Sequence, residues 1–408
     1  MLPTPTVWLM STAPRFGTPA DLDGLWEVFR LGFGAPERRR DEWLEGIDPE
    51  RALIIDGPRG EVAAASHIRP FQQWFGGRAV PLGGFSPVAV LPEFRGQGLG
   101  RAITAGQFGD LRERGEVIAG LFPASLALYR SVGFELAGSY VQRRLPASEV
   151  GAIRPLSGTV DVRRGTVDDI AAVHRCQERL AAGRDGTLRR DPAWWQRRLP
   201  ADLQEVVLYV VEHPSVAGEL AGYAIYRHGP GPRAYDYTVV VTEVLADDPD
   251  AVRALWRVVG SSGSQAPWVE VIGPADDDLF LLIANADPVA VRSEIRWMIR
   301  LIDAPGAVAA RGWPAAAAGS VDLEIIDEAA PWNAGRWVLD VADGHATLQP
   351  GGSGTVQASI GGLSSWWAGY APATRLARTG QLSSGDQRAI ATMDHLLPAV
   401  PPVLPDFY

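Results

Sequence analysis

Apolar residues recur along this 408-residue chain in two rhythms, and the switches between them mark out its elements. In residues 21–31, Leu22, Leu25, Trp26 and Phe29 fall at the spacing of one helix face. Residues 52–55, 62–68 and 79–90 are short aliphatic runs that predict strands, with Gly76-Gly77 as the hairpin turn between the last two. A glycine-rich stretch then opens a helix carrying Ile103, Phe108 and Leu111. Residues 117–122 predict another strand. Residues 125–132 predict a helix ended by Gly133, at the position where the backbone needs positive φ. The order is β-α-α-β-β-β-α-β-α-β.

The opening of this pattern is repeated. Arg15-Phe16-Gly17-Thr18, followed by Asp21-Leu22 and Leu25, is echoed by Arg163-Arg164-Gly165-Thr166, followed by Asp169-Ile170 and Val173. Strand-like runs at 206–211, 221–227 and 234–245 continue the second copy. Where the first copy has its glycine-rich loop, the second reads Leu245-Ala246-Asp247-Asp248-Pro249-Asp250. Three carboxylates there suit a helix dipole and repel a pyrophosphate. Beyond residue 305 an Ala-rich stretch (307–318) leads to strands at 321–326, 335–341, 345–348 and 355–360, then helices at 363–367 and 386–395. The expected domains are 1–148, 149–304 and 305–408.

Composition narrows the class. A 46% hydrophobic and 21% charged chain is that of a soluble globular protein. One cysteine, Cys176, excludes an internal disulfide framework and a cysteine-based metal cluster. His67, His174 and His345 lack metal-ligand spacing, so no metal is expected. There is no apolar run of the roughly 20 residues a membrane span needs. Residues 1–10 lack a basic n-region, so no secretory leader is expected and the location reads as cytoplasmic. A net charge of −10 disfavours nucleic acid and suits cationic small substrates.

The glycine-rich loop carries the chemistry. Val88-Ala89-Val90 runs through Leu91-Pro92-Glu93-Phe94 into Arg95-Gly96-Gln97-Gly98-Leu99-Gly100-Arg101. Glycines at a strand-to-helix junction bring backbone N–H groups and a helix N-terminus onto phosphate oxygens. A Walker loop needs a lysine, and all 38 basic residues here are arginine. The glycine spacing also misses the dinucleotide fingerprint. It matches R-x-x-G-x-G at Arg95, Gly98 and Gly100, and about 30 residues on stands L-Y-x-x-x-G-F, from Leu128 and Tyr129 to Gly133 and Phe134. This pair of motifs resembles the pyrophosphate loop and following helix of the GNAT superfamily of acetyl-CoA-dependent N-acetyltransferases. The C-terminal pattern resembles a sterol-carrier-protein-like α+β module. Together the parts resemble the Eis (enhanced intracellular survival) acetyltransferases. The fold class expected is therefore α/β and α+β: tandem GNAT-like domains with mixed central sheets flanked by helices, then a sterol-carrier-protein-like α+β domain.

The resemblance implies that acetyl-CoA lies along Val88, Ala89 and Val90. Its pyrophosphate would be held by Gly96, Gln97, Gly98, Leu99, Gly100 and Arg101, with Ala124 and Ser125 beside the thioester. It implies Tyr129 as general acid toward the leaving thiolate; a phenol with a pKa near 10 stays protonated at neutral pH. The general base it implies is the chain-terminal carboxylate, here on Tyr408. The proline-rich ending, residues 401–408, extends at about 3.1 Å per residue and carries apolar Val403, Leu404, Phe407 and Tyr408 suited to docking. Glu93, Glu113, Glu116 and Glu135 are further candidate bases, and Phe33, Glu37, Trp43 and Phe85 candidate acceptor-pocket residues. Asp406 is a candidate source of charge attraction to a polyamine. The expected acceptor is a cationic amine such as an aminoglycoside, and the expected assembly a homo-hexamer, a trimer of dimers. Two other readings stay open: a tandem GNAT enzyme acting on another small amine or a protein amine, and a non-catalytic acyl-CoA or lipid-binding scaffold.

Overall fold

The same local device opens both copies of the repeat. A threonine and an aspartate three residues on form reciprocal capping boxes, Thr18 with Asp21 and Thr166 with Asp169. Each aspartate also takes a bidentate arginine from the preceding strand, Arg15 at 2.7 and 3.0 Å and Arg163 at 2.7 and 2.8 Å. Behind each lies a 12-residue helix, Leu22–Phe33 and Ile170–Ala181, burying Leu25, Val28 and Phe29 in one and Val173 and Cys176 in the other. These observations come from a computed structural model that describes residues 13–156, 160–200, 202–274 and 277–408; the leader reading over residues 1–10 lies outside them.

The two copies share one sheet. From one edge to the other the strands run Arg15–Phe16, Ala52–Asp56, Val62–Phe75, Arg78–Val90, Ile118–Leu121, Ala290–Leu301, Glu135–Pro146, Trp268–Gly273, Tyr237–Ala246, Leu220–Pro230, Val207–Glu212 and Val162–Arg164. The copies exchange their last strands. Glu135–Pro146 leaves the first copy to pair antiparallel with Trp268–Gly273, and Ala290–Leu301 leaves the second to pair with Ile118–Leu121. The exchanged strands also pair with each other, so no ladder edge is left open between the copies.

The third module is a five-stranded sheet ordered His345–Pro350, Gly335–Ala342, Gly319–Ile326, Val356–Ser359 and Leu382–Ser384. Its helix Ile360–Trp367 is buried at all eight positions. Ser364 Oγ accepts from the Leu301 N–H, and Ser365 Oγ donates to Leu136 O, so this helix docks on both exchanged strands. The core is continuous across that contact: Val80, Leu82, Trp297 and Ile299 pack in one cluster with Leu323, Trp366 and Trp367.

The elements run close to the expected ones, with differences that have local causes. Val62–Phe75 continues past residue 68 because Phe71 to Phe75 pair across the Gly76-Gly77 turn with Leu82 to Arg78. The Ala-rich stretch forms a helix only over Ala304–Ala310, with Gly312 and Pro314 following it. The helix Ala373–Arg378 and the strand Leu382–Ser384 were not anticipated. Among the described residues no helix is long and apolar enough to cross a membrane.

One buried charge ties the three parts together. Arg300, on an exchanged strand, donates to Val132 O at 2.6 Å and to both oxygens of Asp327 at 2.7 Å. Gly133 serves this contact as well as its own φ of +84°: a Cβ there would lie 1.8 Å from Arg300 Nη1. Asp327→Ala strips the charge of its partner and is expected to cost about 3–5 kcal/mol. Replacing both residues at once, with Arg300→Met and Asp327→Leu, should cost much less. Urea unfolding midpoints check this, and equal losses in the two variants would show that packing, not charge, sets the cost.

Candidate active site

Two strands part company at Gly84. Leu82, Gly83 and Gly84 of Arg78–Val90 pair in parallel with Ile118, Ala119 and Gly120, and there the ladder stops. Arg78–Val90 continues on its other side, with Val88, Ala89 and Val90 against Ser66, Ala65 and Ala64. The Leu91 N–H bonds Ala63 O, so by alternation Val88 and Val90 turn their N–H and C=O groups to the open edge. Val90 O already takes a bond there, from Arg95 Nε at 3.2 Å.

The loop after this strand is shaped by its glycines. Gly96 and Gly98 have φ of +77° and +80°, and a Cβ built on either meets nothing within 4 Å, so the concavity in front of them is open. Gly100 has a different task, since its Cβ would lie 3.2 Å from Leu128, and its absence lets the helix Leu126–Arg130 pack close. In the helix Leu99–Ala105 the Ala102 N–H reaches back to Gly98 O, which leaves the N–H groups of Leu99, Gly100 and Arg101 without an intrahelical acceptor. Arg95 and Arg101 stand exposed beside them. Free N–H donors, two guanidinium groups and an open concavity form a donor set for a multiply charged anion such as a pyrophosphate.

Ser125 caps the helix Leu126–Arg130, accepting from the Leu128 N–H at 3.4 Å, and both Ala124 and Ser125 are exposed at its start. Tyr129 is 6% exposed and meets Phe134 edge-on, ring centres 5.9 Å apart. Its hydroxyl has no hydrogen-bond partner among the described residues, and burial pushes its pKa up to about 12. The group is a phenol with its proton on.

The C-terminal tail comes to the same opening. The Tyr408 ring lies over the last rung of the parting strands: a Cβ on Gly84 would sit 2.9 Å from Tyr408 Cε2, and one on Gly120 2.8 Å from its hydroxyl. Phe71 and Phe122 flank it at 4.8 and 5.7 Å. Burial raises the Tyr408 phenol well above its ordinary value. Outside the ring, a cleft of about 610 Å³ is walled by Trp43, Arg69, Trp194, Arg197, Phe407 and Tyr408.

What holds the tail is a buried carboxylate, and here the expectation for Asp406 is corrected. Asp406 is fully buried, accepts from Trp194 Nε1 at 3.0 Å, and pairs with Arg190 at 3.2 Å and Arg198 at 2.8 Å. Arg190 in turn pairs with Glu243 at 2.6 Å. With its charge neutralised and out of water, Asp406 anchors the tail and exerts no pull on a polyamine.

The other candidates separate cleanly. Glu116 pairs with Arg51 at 2.5 Å and Glu135 with Arg130 at 2.7 Å, while Glu93 and Glu113 are exposed. Phe85 is buried in the core against Phe108 and Phe134, and so is no pocket wall. Phe33 is exposed beside Trp43, and Glu37 accepts from Trp26 Nε1 at 3.1 Å. His67 bridges the Asp48 N–H and Ser86 O, with its pKa lowered by burial to about 4, and His174 stacks on Trp195. The sequence reading passed over Gly84, Gly120, Arg190, Trp194 and Arg198. The Gly83-Gly84 pair inside the strand Arg78–Val90 is the one local signal.

The second copy parts its strands in the same way, but the tail lies along the gap and a carboxylate takes the helix N-terminus. Its parting strands, Tyr237–Ala246 and Trp268–Gly273, are last paired at Val240 and Glu270, and Val403 and Pro405 of the tail line the gap beyond. At its helix start the Asp248 carboxylate accepts from the N–H groups of Asp250 and Ala251 at 2.9 and 2.8 Å, and Asp247 pairs with Arg179.

Comparison with known proteins places this architecture. Residues 13–137 and 186–301 each match a family model described as an acetyltransferase (GNAT) domain, and residues 304–405 match the sterol carrier protein domain. The chain is 26% identical over 382 residues to the N-acetyltransferase Eis of Mycobacterium tuberculosis, covering 86% of this chain and 88% of that one. The crystal structure of a GCN5-related N-acetyltransferase from Anabaena variabilis superposes with a TM-score of 0.87 at 25% identity, over 97% of this chain and all of that one. That of a GCN5-related N-acetyltransferase from Kribbella flavida superposes with a TM-score of 0.83 at 30% identity, over 97% of this chain and 98% of that one. Two acetyltransferase domains followed by a sterol carrier protein domain make this chain an Eis-like member of the GCN5-related N-acetyltransferase family, and an acetyltransferase.

Proposed function

We propose that the opening between Gly84 and Gly120 transfers an acetyl group from acetyl-CoA to the amine of a small molecule, of which cationic aminoglycosides are one class. What supports this reading is the strand parting itself: one of its strands runs on into the glycine loop, the helix that carries Tyr129 packs on Gly100 of that loop, and the Tyr408 ring lies over the last paired rung. When bound, acetyl-CoA supplies a thioester carbonyl open to attack by an amine, with a thiol as the leaving group. Gly96, Gln97, Gly98, Leu99, Gly100 and Arg101 bind its pyrophosphate through backbone N–H groups and the Arg101 side chain. Val88 and Val90 offer their open-edge N–H and C=O groups, and Ala89 lies between them. Ala124 and Ser125 border the thioester end. Only the first copy does this. In the second, a carboxylate occupies the helix N-terminus.

Tyr129 holds the proton that the leaving sulfur needs. The Tyr408 carboxylate receives the proton that the attacking ammonium gives up. With a pKa of roughly 3.5 in water it is a weak base. The domain division at 148 and 304, cytoplasmic location and hexameric assembly belong to the same reading.

Four measurements test it. Gly98→Ala forces a side chain into the left-handed region at φ +80° and should weaken coenzyme A binding by about tenfold, roughly the 1–2 kcal/mol of that strain, as read by calorimetry. Tyr129→Phe should lower kcat by about 10²- to 10⁴-fold. Because Tyr129 stays protonated up to about pH 12, the wild-type rate should rise with amine deprotonation and show no fall between pH 8 and about 10. A phenol of ordinary pKa would give a fall there, and would remove Tyr129 from the acid role. Appending residues after Tyr408 should abolish thiol release across a panel of kanamycin-like amines, lysine peptides and simple amines, with coenzyme A binding retained. Full activity in the extended chain would rule out the carboxylate role.

A further inference from the structure

The cleft outside Tyr408 has no surplus of negative charge to draw in a polycation. Of the ionisable groups on its wall, Arg39 and Glu42 satisfy each other at 2.9 Å. Two guanidinium groups, Arg69 and Arg197, and two carboxylates, those of Glu45 and of the chain terminus on Tyr408, are left over. No ion pair within 4.0 Å ties either arginine to Glu45 or to the chain-terminal carboxylate among the described residues.

Arg69 is in an unusual position. It extends from strand Val62–Phe75 over Gly46, where a Cβ would come within 3.1 Å of its Nη2. Its Nε is out of water and has no hydrogen-bond partner. A guanidinium that loses water and gains no acceptor is costly, and a second one nearby raises the cost. Arg197 is that second group. It is exposed and lies over the Trp194 ring at 4.6 Å, the same ring whose N–H holds Asp406. Burial and the Arg197 charge both lower the pKa of Arg69, which places the two groups in one field.

We propose that Arg69 and Arg197 bind a carboxylate on the acceptor, so that the preferred substrate is an amino acid-like amine, with its amine at the strand opening and its carboxylate between the two arginines. The assignment rests on the acetyl-transfer reading above and narrows its acceptor from a polycation to a zwitterion. The bonds made and broken are those of that reading. A C–N bond forms and the C–S bond breaks, one proton leaves the amine, and one reaches the sulfur. The arginines change no bond; they decide which amine is held.

The test compares a series of ω-amino acids (β-alanine, γ-aminobutyrate and longer members) with the neutral amide of each, alongside kanamycin and aminoalkyl phosphates of matched length. The best acid should exceed its amide by about tenfold or more in kcat/KM, carried by KM, as expected for a charge-assisted pair. Arg69→Gln and Arg197→Gln should each bring that ratio toward one, and Arg69→Lys should retain part of it. Amides equal to their acids, a ratio that survives both glutamine variants, or a preference for kanamycin or the phosphates would overturn the assignment. Calorimetric titration with the N-acetylated acid separates this from failure of the transfer reading. Arginine-dependent binding without turnover of any amine would sustain the carboxylate site and overturn the transfer; neither binding nor turnover would overturn the carboxylate site.

Discussion

The arrangement of this protein turns on one buried carboxylate. Asp406 sits at zero exposure between Arg190, Arg198 and the Trp194 N–H, and everything at the strand opening depends on where it puts the next two residues. Arg190 also holds Glu243, so two cations face two anions and the cluster is neutral as a set. A buried ionic cluster of this kind is weak evidence for stability, because desolvation offsets much of its attraction. Its effect is on register. A tail shifted by one residue would leave Arg190 and Arg198 facing a proline or a phenylalanine, so only one alignment is tolerable. That alignment lays the Tyr408 ring over Gly84 and Gly120, a surface flat enough only because neither residue has a Cβ.

The duplicated half explains why the tail has somewhere to dock. Both copies keep the arginine–aspartate capping device, and both open their sheet between the same pair of strands. In the second copy a carboxylate has taken the helix N–H groups, and Val403 and Pro405 lie along the gap. The tail thus runs along one strand parting and ends at the other. A half that lacks an anion cradle still has a structural use: it supplies the arginines and the tryptophan that fix the end of the chain.

How much of this the sequence discloses depends on how local each signal is. The glycine loop was legible because its function is written in backbone conformation. Gly96 and Gly98 adopt positive φ, and the residues that bind are contiguous. Gly133 was legible for the same reason, although its second role, making room for Arg300, was not. Strand exchange left no trace in the pattern. Ala290–Leu301 runs from an exposed first half into five consecutive buried residues, Trp297 to Leu301, and nothing in its own residues names Ile118–Leu121 as its partner about 180 positions away. Asp406 misled for a related reason. A carboxylate near a chain end reads as exposed charge, and its neutralisation depends on residues more than 200 positions away.

The same distinction separates the two sides of the reaction. The donor side relies on one continuous stretch of backbone, which every relative with the motif can reproduce, so a family resemblance speaks to it directly. The cleft proposed for the acceptor is lined by side chains of the helix Arg40–Glu45, the strand Val62–Phe75, the helix Pro192–Arg198 and the tail. These four segments are far apart in sequence, and an exposed side chain on any of them can change charge without disturbing the sheet. Selectivity for the amine is therefore the property least transferable from relatives. The two unpaired guanidinium groups in the cleft belong to this chain's own record of what it binds.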